Sequence, residues 1–519
     1  MRDRVISVIV ALGLVAFIGV RLHVLDDDFP NPDIAGLVYN AELLLRGGLP
    51  YVDTIEIKPP GAFELAAIAI ALLGRSLLAL QLFFALWLVL GAWAVTWAVR
   101  AIHPDDDTAP AIAFAVALVA MGMFSYNYTG WMTPLSAIAV GAALRGFRSD
   151  RPAWSVLAGA AACFAVITIQ RAVVLAALFP ILLWWARKRG DAGANAKAVL
   201  MWIAGAIAMA TVVALPWIFA GELGTLVDAL APWGVARDYT DSSSGAGFGV
   251  LPSVAVQLVT VYWFPLGMIA VAAFACAIDR REGWSSWIPG VAWLLLSIVG
   301  AGLGGMRFYL HYLVQYAPAL ALLAAHPALA RRLRAKDKRV VAIVALLVLA
   351  QLVEIARGRG HRYEAMARRL RDGRTAAQAA GAHIRERTNA DATIMAWGWT
   401  AWPVYYWAER SSATRVYKEM GTLTTFNANT EFGDGAGPVF RPGPAADEVI
   451  ADFDRAPPAY FVYSPSLVDA FGARPDPLEH FTALRDRLRA DYVLDAQYGD
   501  LQLFQRVSNT AKLRRSSGS

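Results

Sequence analysis

The sequence predicts an all-α polytopic membrane domain over residues 1–356, a small α/β domain over 357–507 and a disordered tail over 508–519. Three observations predict this. Of 519 residues, 57% are hydrophobic and only 17% are charged, with a mean hydropathy of +0.45. Soluble domains run nearer 25% charged, and lipid exposure accounts for the deficit. The apolar residues are blocked rather than periodic: uncharged runs recur from residue 77 to 356, several reaching the roughly 18 residues that span a bilayer. From residue 357 on, charges, Gly and Pro are spread throughout.

The first element is an apolar run from Val5 to Val20 behind a basic start, Met1–Arg4. The exit reads Val20-Arg21-Leu22-His23, with no small-residue cleavage site, so it is expected to be a retained signal anchor with a cytoplasmic N-terminus. The expected spans, about eleven in all, are 5–22, 77–99, 110–126, 131–144, 153–170, 172–186, 198–221, 252–278, 285–305, 310–328 and 339–356. The run 61–74 carries Glu64, and its uncharged stretch Leu65–Gly74 is about half a span, so it is expected to be an interfacial or re-entrant helix on the outer side.

Charge counting supports that choice. With 61–74 not crossing, every basic loop falls on the cytoplasmic side: Arg145/Arg148/Arg151, Arg187/Lys188/Arg189/Lys197, Arg280/Arg281 and Arg331/Arg332/Arg334/Lys336/Lys338/Arg339. Loop 100–109, with Asp105-Asp106-Asp107, shares that side, since acidic residues weigh little in orientation. The outer face then holds residues 23–76, the turn Tyr126–Trp131, the loop 222–250, the turn Arg307–His311 and the C-terminal domain. The outer aromatics Tyr126, Tyr128, Trp131 and Trp263 are expected to form an interfacial belt. The net charge of +6 lies mostly in short loops, which excludes nucleic acid as a partner. Cys163 and Cys276 both fall in apolar runs and offer no disulfide framework or zinc pattern. Composition is compatible with a multi-pass protein of a bacterial inner (plasma) membrane, its C-terminal domain periplasmic.

The first outer segment carries the chemistry. It reads Asp26-Asp27-Asp28-Phe29-Pro30-Asn31-Pro32-Asp33, then an amphipathic stretch to Arg46, then Gly47-Gly48-Leu49-Pro50-Tyr51-Val52-Asp53 and Glu56-Ile57-Lys58-Pro59-Pro60. Asp33 opens a helical pattern, as either a helix cap or a functional acid. Lys58 is either a snorkelling lysine or a phosphate ligand.

The register Asp33, Ala41, Leu44-Leu45, Gly47-Gly48, Pro50-Tyr51 and Lys58-Pro59-Pro60 resembles the first outer loop of GT-C membrane glycosyltransferases. The nearest pattern is that of the dolichyl-phosphate-mannose protein mannosyltransferase and aminoarabinose transferase group. Gly304–Tyr312 resembles that family's late outer turn. Ile384-Arg385-Glu386-Arg387-Thr388 followed by Trp397-Gly398-Trp399 resembles the start of its outer domain. The resemblance implies a GT-C-like fold and an inverting transferase that moves a sugar from a polyprenyl-phosphate donor, drawn from the membrane lipid, to a glycan, lipid or protein acceptor. It nominates Asp33 as catalytic base. Lys58, Arg171, Arg307 and His311 become phosphate ligands, because fixed cations stabilise a departing phosphate; Arg307 and His311 also fit plain interfacial roles. Tyr51, Trp131 and Thr133 become residues lining the sugar or acceptor.

The chain departs from the family at three places. Ile34 stands where a second acid is usual, which brings forward Asp53 and Glu56. Thr133-Pro134 replaces an acid before an intramembrane Pro, and Gln170-Arg171 replaces a Lys. Asp26, Asp27 and Asp28 leave a divalent metal open; no metal ligand set and no other cofactor is assigned. Two competing readings are a transporter or flippase of lipid-linked saccharides, and a catalytically degenerate glycolipid-binding relative. In the C-terminal domain, residues 363–388 are expected to be helical, with strands at Thr393–Trp397, Tyr460–Tyr463, Tyr492–Leu494 and Leu501–Phe504.

Overall fold

The computed structural model describes residues 2–24, 28–149, 151–187, 192–231, 235–242, 247–279 and 284–507. Asp26 and Asp27, the loop residues Lys188, Arg189, Arg280 and Arg281, part of the Ser/Gly stretch after Asp241, and the tail 508–519 lie outside it.

Each expected span is helical. The bundle begins with α1 (Arg2–Val24). The outer segment follows as α2 (Pro32–Leu45) and α3 (Gly61–Leu73). Then come α4 (Leu77–Ile102), α5 (Thr108–Gly122), α6 (Tyr128–Arg148), α7 (Pro152–Thr168), α8 (Val174–Arg187) and α9 (Ala192–Ala220). After α10 (Leu223–Leu230) and α11 (Val235–Asp241) the chain continues through α12 (Leu251–Val261), α13 (Trp263–Asp279), α14 (Ile288–Gly302), α15 (Ala317–Ala324), α16 (Pro327–Arg334) and α17 (Lys338–Asp372). By length and composition 5 of these helices can cross a membrane alone, or up to 7 when each of two bent pairs counts as one span. The remaining expected spans are α5 to α8, of 15, 21, 17 and 14 residues. The chain is a multi-pass membrane protein.

Helix α3 has 13 residues, about 20 Å of rise against a hydrocarbon core of about 30 Å, which makes it shorter than each of α5 to α8 and too short to cross alone. Three expectations need correction. The span 252–278 is broken at Tyr262, where α12 and α13 meet at 88°. Pro265 explains it: it lacks the N–H that would bond back to Val261, and its ring crowds that carbonyl. The span 310–328 starts as a 3-10 turn, Leu310–Tyr316, and bends by 55° before Pro327, which holds His326 in extended geometry (ψ 137). The helix expected over 363–388 is two: α17 ends at Asp372, and α18 (Ala376–Arg387) starts from a Thr375/Gln378 capping box after Gly373, whose φ is +83.

The loops expected on the cytoplasmic side gather at one end of the bundle. Arg334 holds Asp106 at 2.7 and 3.1 Å, Arg331 holds Asp279 at 2.8 Å, Arg148 donates to the Ile102 carbonyl, and Trp185 donates to the Ser285 carbonyl. The acidic loop 100–109 therefore belongs with the basic ones, because Asp106 is their counter-ion. Three of the four outer aromatics expected in a belt are buried instead, while Trp263 stays partly exposed. Tyr126, Tyr128 and Trp131 are 1%, 7% and 0% exposed, packed between helices against Phe84 and Phe63.

At the other end sits the C-terminal domain. Its four-stranded sheet, in the order β1-β2-β4-β3, comprises β1 (Ile394–Trp397), β2 (Tyr460–Tyr463), β3 (Tyr492–Tyr498) and β4 (Leu501–Arg506). β1 and β2 are parallel and the other pairs antiparallel. One core of this domain, around Ala380, Ile384, Val404 and Tyr417, also takes in Ala35 and Tyr39 of α2. The same helix packs Ile34, Leu37, Val38 and Ala41 into the membrane-domain core. It is therefore fixed from both sides.

Candidate active site

The residues converge where the outer segment meets the ends of α7, α14 and α15. The turn Gly47–Lys58 is shaped by its own sequence. Tyr51 adopts φ +72, donates to the Lys58 carbonyl at 2.6 Å and packs against Trp217, whose indole donates to the Pro50 carbonyl at 3.0 Å. Asp53 is exposed and accepts the Leu49 N–H at 2.7 Å, so it closes the turn.

Lys58 and Arg171 share one cavity of about 250 Å³, lined also by Gln170, Tyr239, Gly304 and Tyr312. Arg171 lies in a short 3-10 turn, Gln170–Val173, between α7 and α8. It is 7% exposed. Its guanidinium lies 3.3 Å from the centroid of the Tyr312 ring, Nη2 donates to Thr129 Oγ1 at 2.8 Å, and Nη1 has no hydrogen-bond partner. Lys58 Nζ lies 4.8 Å from the Tyr239 ring centroid and 5.8 Å from that of Tyr128. Among the described residues neither cation forms an ion pair. Burial holds the Lys58 ammonium below its ordinary pKa; Tyr312 and Asp33 pull it back up, while Arg171 and Lys418 push it down. A buried arginine and a partly buried lysine with aromatic walls and an open N–H form a receptor for an anion. The cavity also has apolar walls, Val173 and Leu303, each 48% exposed on the bundle surface.

Asp33 stands in the first turn of α2 without capping it. Asn31 is the cap, accepting the Asp33 N–H at 2.8 Å. Freed from that duty, Asp33 Oδ1 accepts the indole N–H of Trp399 at 3.1 Å. Oδ2 carries no hydrogen bond among the described residues. Trp399 lies just past β1, after Gly398 at φ +100, so the outer-domain sheet reaches the acid directly.

Glu56 is buried. Lys418 Nζ binds both its oxygens at 2.6 Å, Tyr417 donates to Oε2, and Oε1 accepts the N–H of Ile57 and of Lys58 at 2.7 and 3.1 Å. Burial pushes the carboxyl up, but Lys418 and Tyr417 outweigh it and hold it below the usual range.

Arg307 does not line the cavity but sits behind it, its guanidinium 4.3 Å from the centroid of the Tyr239 ring. At 1% exposure its guanidinium donates to Asn427 Oδ1, the Asn427, Asn429 and Tyr239 carbonyls, Ser242 Oγ and the Tyr309 hydroxyl. It fastens the loop 427–429 to the membrane domain. His311 is sandwiched against Tyr309 and Tyr312. Trp131 is inside the α4–α6 packing, and Thr133 donates to the Thr129 carbonyl at 2.8 Å within α6; neither lines the cavity. Among the described residues no group of three His, Cys, Asp or Glu side chains is placed to hold a metal. Asp28 accepts from the Phe29 N–H and from the Trp407 indole at 2.7 and 3.3 Å.

Sequence reasoning missed Tyr239, Tyr312, Tyr417 and Lys418. Tyr312 stood inside a quoted motif. Tyr239 lies in a loop region with no pattern, and Lys418 meets Glu56 across 362 residues.

No protein-family model matches the chain, and no curated protein matches it by sequence. Among solved structures it is similar to the crystal structure of ArnT from Cupriavidus metallidurans in the apo state, with a TM-score of 0.59 and 16% identity over 98% of each chain. ArnT is an aminoarabinose transferase of the GT-C family, so the resemblance first carried by the motif Asp33 to Pro60 extends to the fold of nearly the whole chain.

Proposed function

We propose that the protein is an inverting membrane glycosyltransferase that moves a sugar from a polyprenyl-phosphate donor to an acceptor hydroxyl at the outer face of the bacterial inner membrane. The observation that carries this is the cavity holding Lys58 and Arg171, two cations without a carboxylate partner, walled by the half-exposed Val173 and Leu303. Such a site suits a phosphate whose lipid tail leaves toward the bilayer.

Asp33 acts as base. Its Oδ1 is steadied by Trp399 and its Oδ2 is open to take the acceptor proton. The acceptor oxygen then forms its bond to the anomeric carbon as the carbon–phosphate oxygen bond breaks. The electron pair leaves on the phosphate, where Lys58 and Arg171 neutralise it. The N-terminus is cytoplasmic and the C-terminal domain periplasmic, following the basic loops gathered at the opposite end of the bundle. Residues 1–356 form the transferase domain and 357–507 the outer domain, which contributes Trp399 to the site.

The test is transfer of radiolabelled sugar from a panel of polyprenyl-phosphate sugars to membrane acceptors. Wild type is expected to move label from at least one donor, and Asp33→Asn to lose about 99% or more of it at equal expression. Equal label in both removes Asp33 from the chemistry, and no label from any donor overturns the transferase reading.

A further inference from the structure

The strand of chain from Arg415 to Lys418 runs beside the turn that carries Lys58. The Ile55 N–H donates to the Arg415 carbonyl at 2.9 Å, and Arg415 Nη2 donates to the Tyr51 carbonyl at 3.0 Å. Tyr417 stacks on Tyr39 with ring centroids 4.7 Å apart, and its hydroxyl reaches Glu56. Lys418 then closes on Glu56 with side-chain exposures of 9% and 0%. Asn40 joins them, donating to Glu56 Oε2 at 3.4 Å while its own carbonyl accepts from Thr54 at 2.8 Å. Everything that holds Glu56 bears on the next two residues, because Glu56 Oε1 takes the backbone N–H of both Ile57 and Lys58.

We infer that Lys418, from the outer domain, is a positioning residue for phosphate binding: through Glu56 it fixes the backbone of Lys58 and so the place of the Lys58 ammonium in the cavity. A buried carboxylate is a poor anchor unless a cation compensates it. Without Lys418 the Glu56 carboxylate is an unpaired buried charge, and it takes up a proton or turns toward water. Protonation weakens the bond to the Lys58 N–H and rotation breaks it. The outer domain then acts as half of the donor site, since it sets one of the two cations. Lys418 touches no substrate.

This inference rests on the donor reading of the cavity, and the experiment separates the two. Farnesyl phosphate serves as probe, with its affinity for the detergent-solubilised full chain measured directly and its competition with donor measured as KM. Wild type is expected to bind, and Lys58→Met to lose binding. Lys418→Met should weaken binding about tenfold and raise donor KM far more than it lowers kcat, whereas Lys418→Arg recovers most of the affinity. Because the buried charges compensate each other, Glu56→Gln combined with Lys418→Met should be no weaker than Lys418→Met alone. Arg487→Met, which breaks an exposed pair with Asp454 of the outer domain, is the control and should bind as wild type. Hydrogen exchange gives a readout independent of binding: the Ile57 and Lys58 amides should exchange faster in Lys418→Met, with loop 427–429 unchanged. Wild-type affinity and unchanged exchange in Lys418→Met overturn the inference while leaving the donor reading intact. Additive losses in the double variant overturn it too. Failure of wild type to bind farnesyl phosphate overturns both.

Discussion

Two sets of cations at opposite ends of the helix bundle are held in opposite ways. At one end Arg331, Arg332 and Arg334 each face a carboxylate, Asp279, Asp337 and Asp106, at 2.8, 3.2 and 2.7 Å. These pairs tie loops together and leave little charge unspent. At the other end Lys58 and Arg171 face tyrosine rings and each other, in a cavity with no ion pair among the described residues. Arg307, only a few residues from His311, is buried there too, but six acceptor atoms of the neighbouring loops occupy both its terminal nitrogens and only Nε is left without a partner. The lesson is that location and charge do not distinguish a ligand-binding cation from a structural one. What does is whether the surrounding acceptors already use its N–H groups.

Replacing the open cation tests this most sharply. Arg171→Met should cut sugar transfer by about 100-fold or more while the melting temperature stays near wild type, since only one hydrogen bond to the protein is lost. A lower melting temperature with transfer intact would put Arg171 among the structural arginines. Arg307→Met should show the reverse weighting, losing about 3 kcal/mol of stability, with faster proteolysis of the segment around 427–431, because several buried acceptors are left bare.

A third test lies in the outer domain, away from both sets of cations. Burial pushes the Glu419 carboxyl up to about 7, only partly opposed by its hydrogen bond from Trp402. The folded state holds the proton more tightly than the unfolded one. The resulting stability is full below the unfolded pKa of about 4.5 and is lost as pH rises through about 7. Glu419→Gln should therefore remove that dependence and melt higher than wild type at pH 8, by roughly 2 kcal/mol, but not at pH 5. The smallest effect on transfer is expected at the paired end. Asp106→Asn should lose about 2 kcal/mol of stability, because Asp106 is 6% exposed and accepts from Arg334 and from the Thr108 and Ala109 N–H groups, and should leave transfer unchanged; a large loss of transfer there would dissolve the contrast between the ends.

Much of the fold was legible because lipid imposes a length and a composition on every crossing helix. Residues 61–74 form a short apolar helix, as the run length indicated, and all four strands of the outer domain stood in short apolar runs. The break at Tyr262 was less visible, since the run is apolar on both sides and only Pro265 marks it. The site was legible where it is local. The family-like register nominated Asp33 and Lys58, and Arg171 stood as a lone charge between apolar runs. Trp131 and Thr133 were placed at the site by family pattern, whereas packing puts them between helices. The Lys418–Glu56 pair had no signal at all, because partners so far apart in sequence meet only through the fold.

The right-angle break between α12 and α13 has a consequence for how deep the molecule floats. Helix α12 turns Leu251, Val256 and Val259 outward, at 43%, 67% and 57% exposure, while Val254 faces in. Gln257 on the same helix donates to the Phe308 carbonyl, next to Arg307. A short oily helix lying across its neighbour is a waterline: it seeks the boundary between headgroups and hydrocarbon and pins that level beside the turn that anchors the outer domain. Bilayers of different acyl length then press on that turn, and the thickness of the membrane becomes a variable of the cavity that holds Lys58 and Arg171.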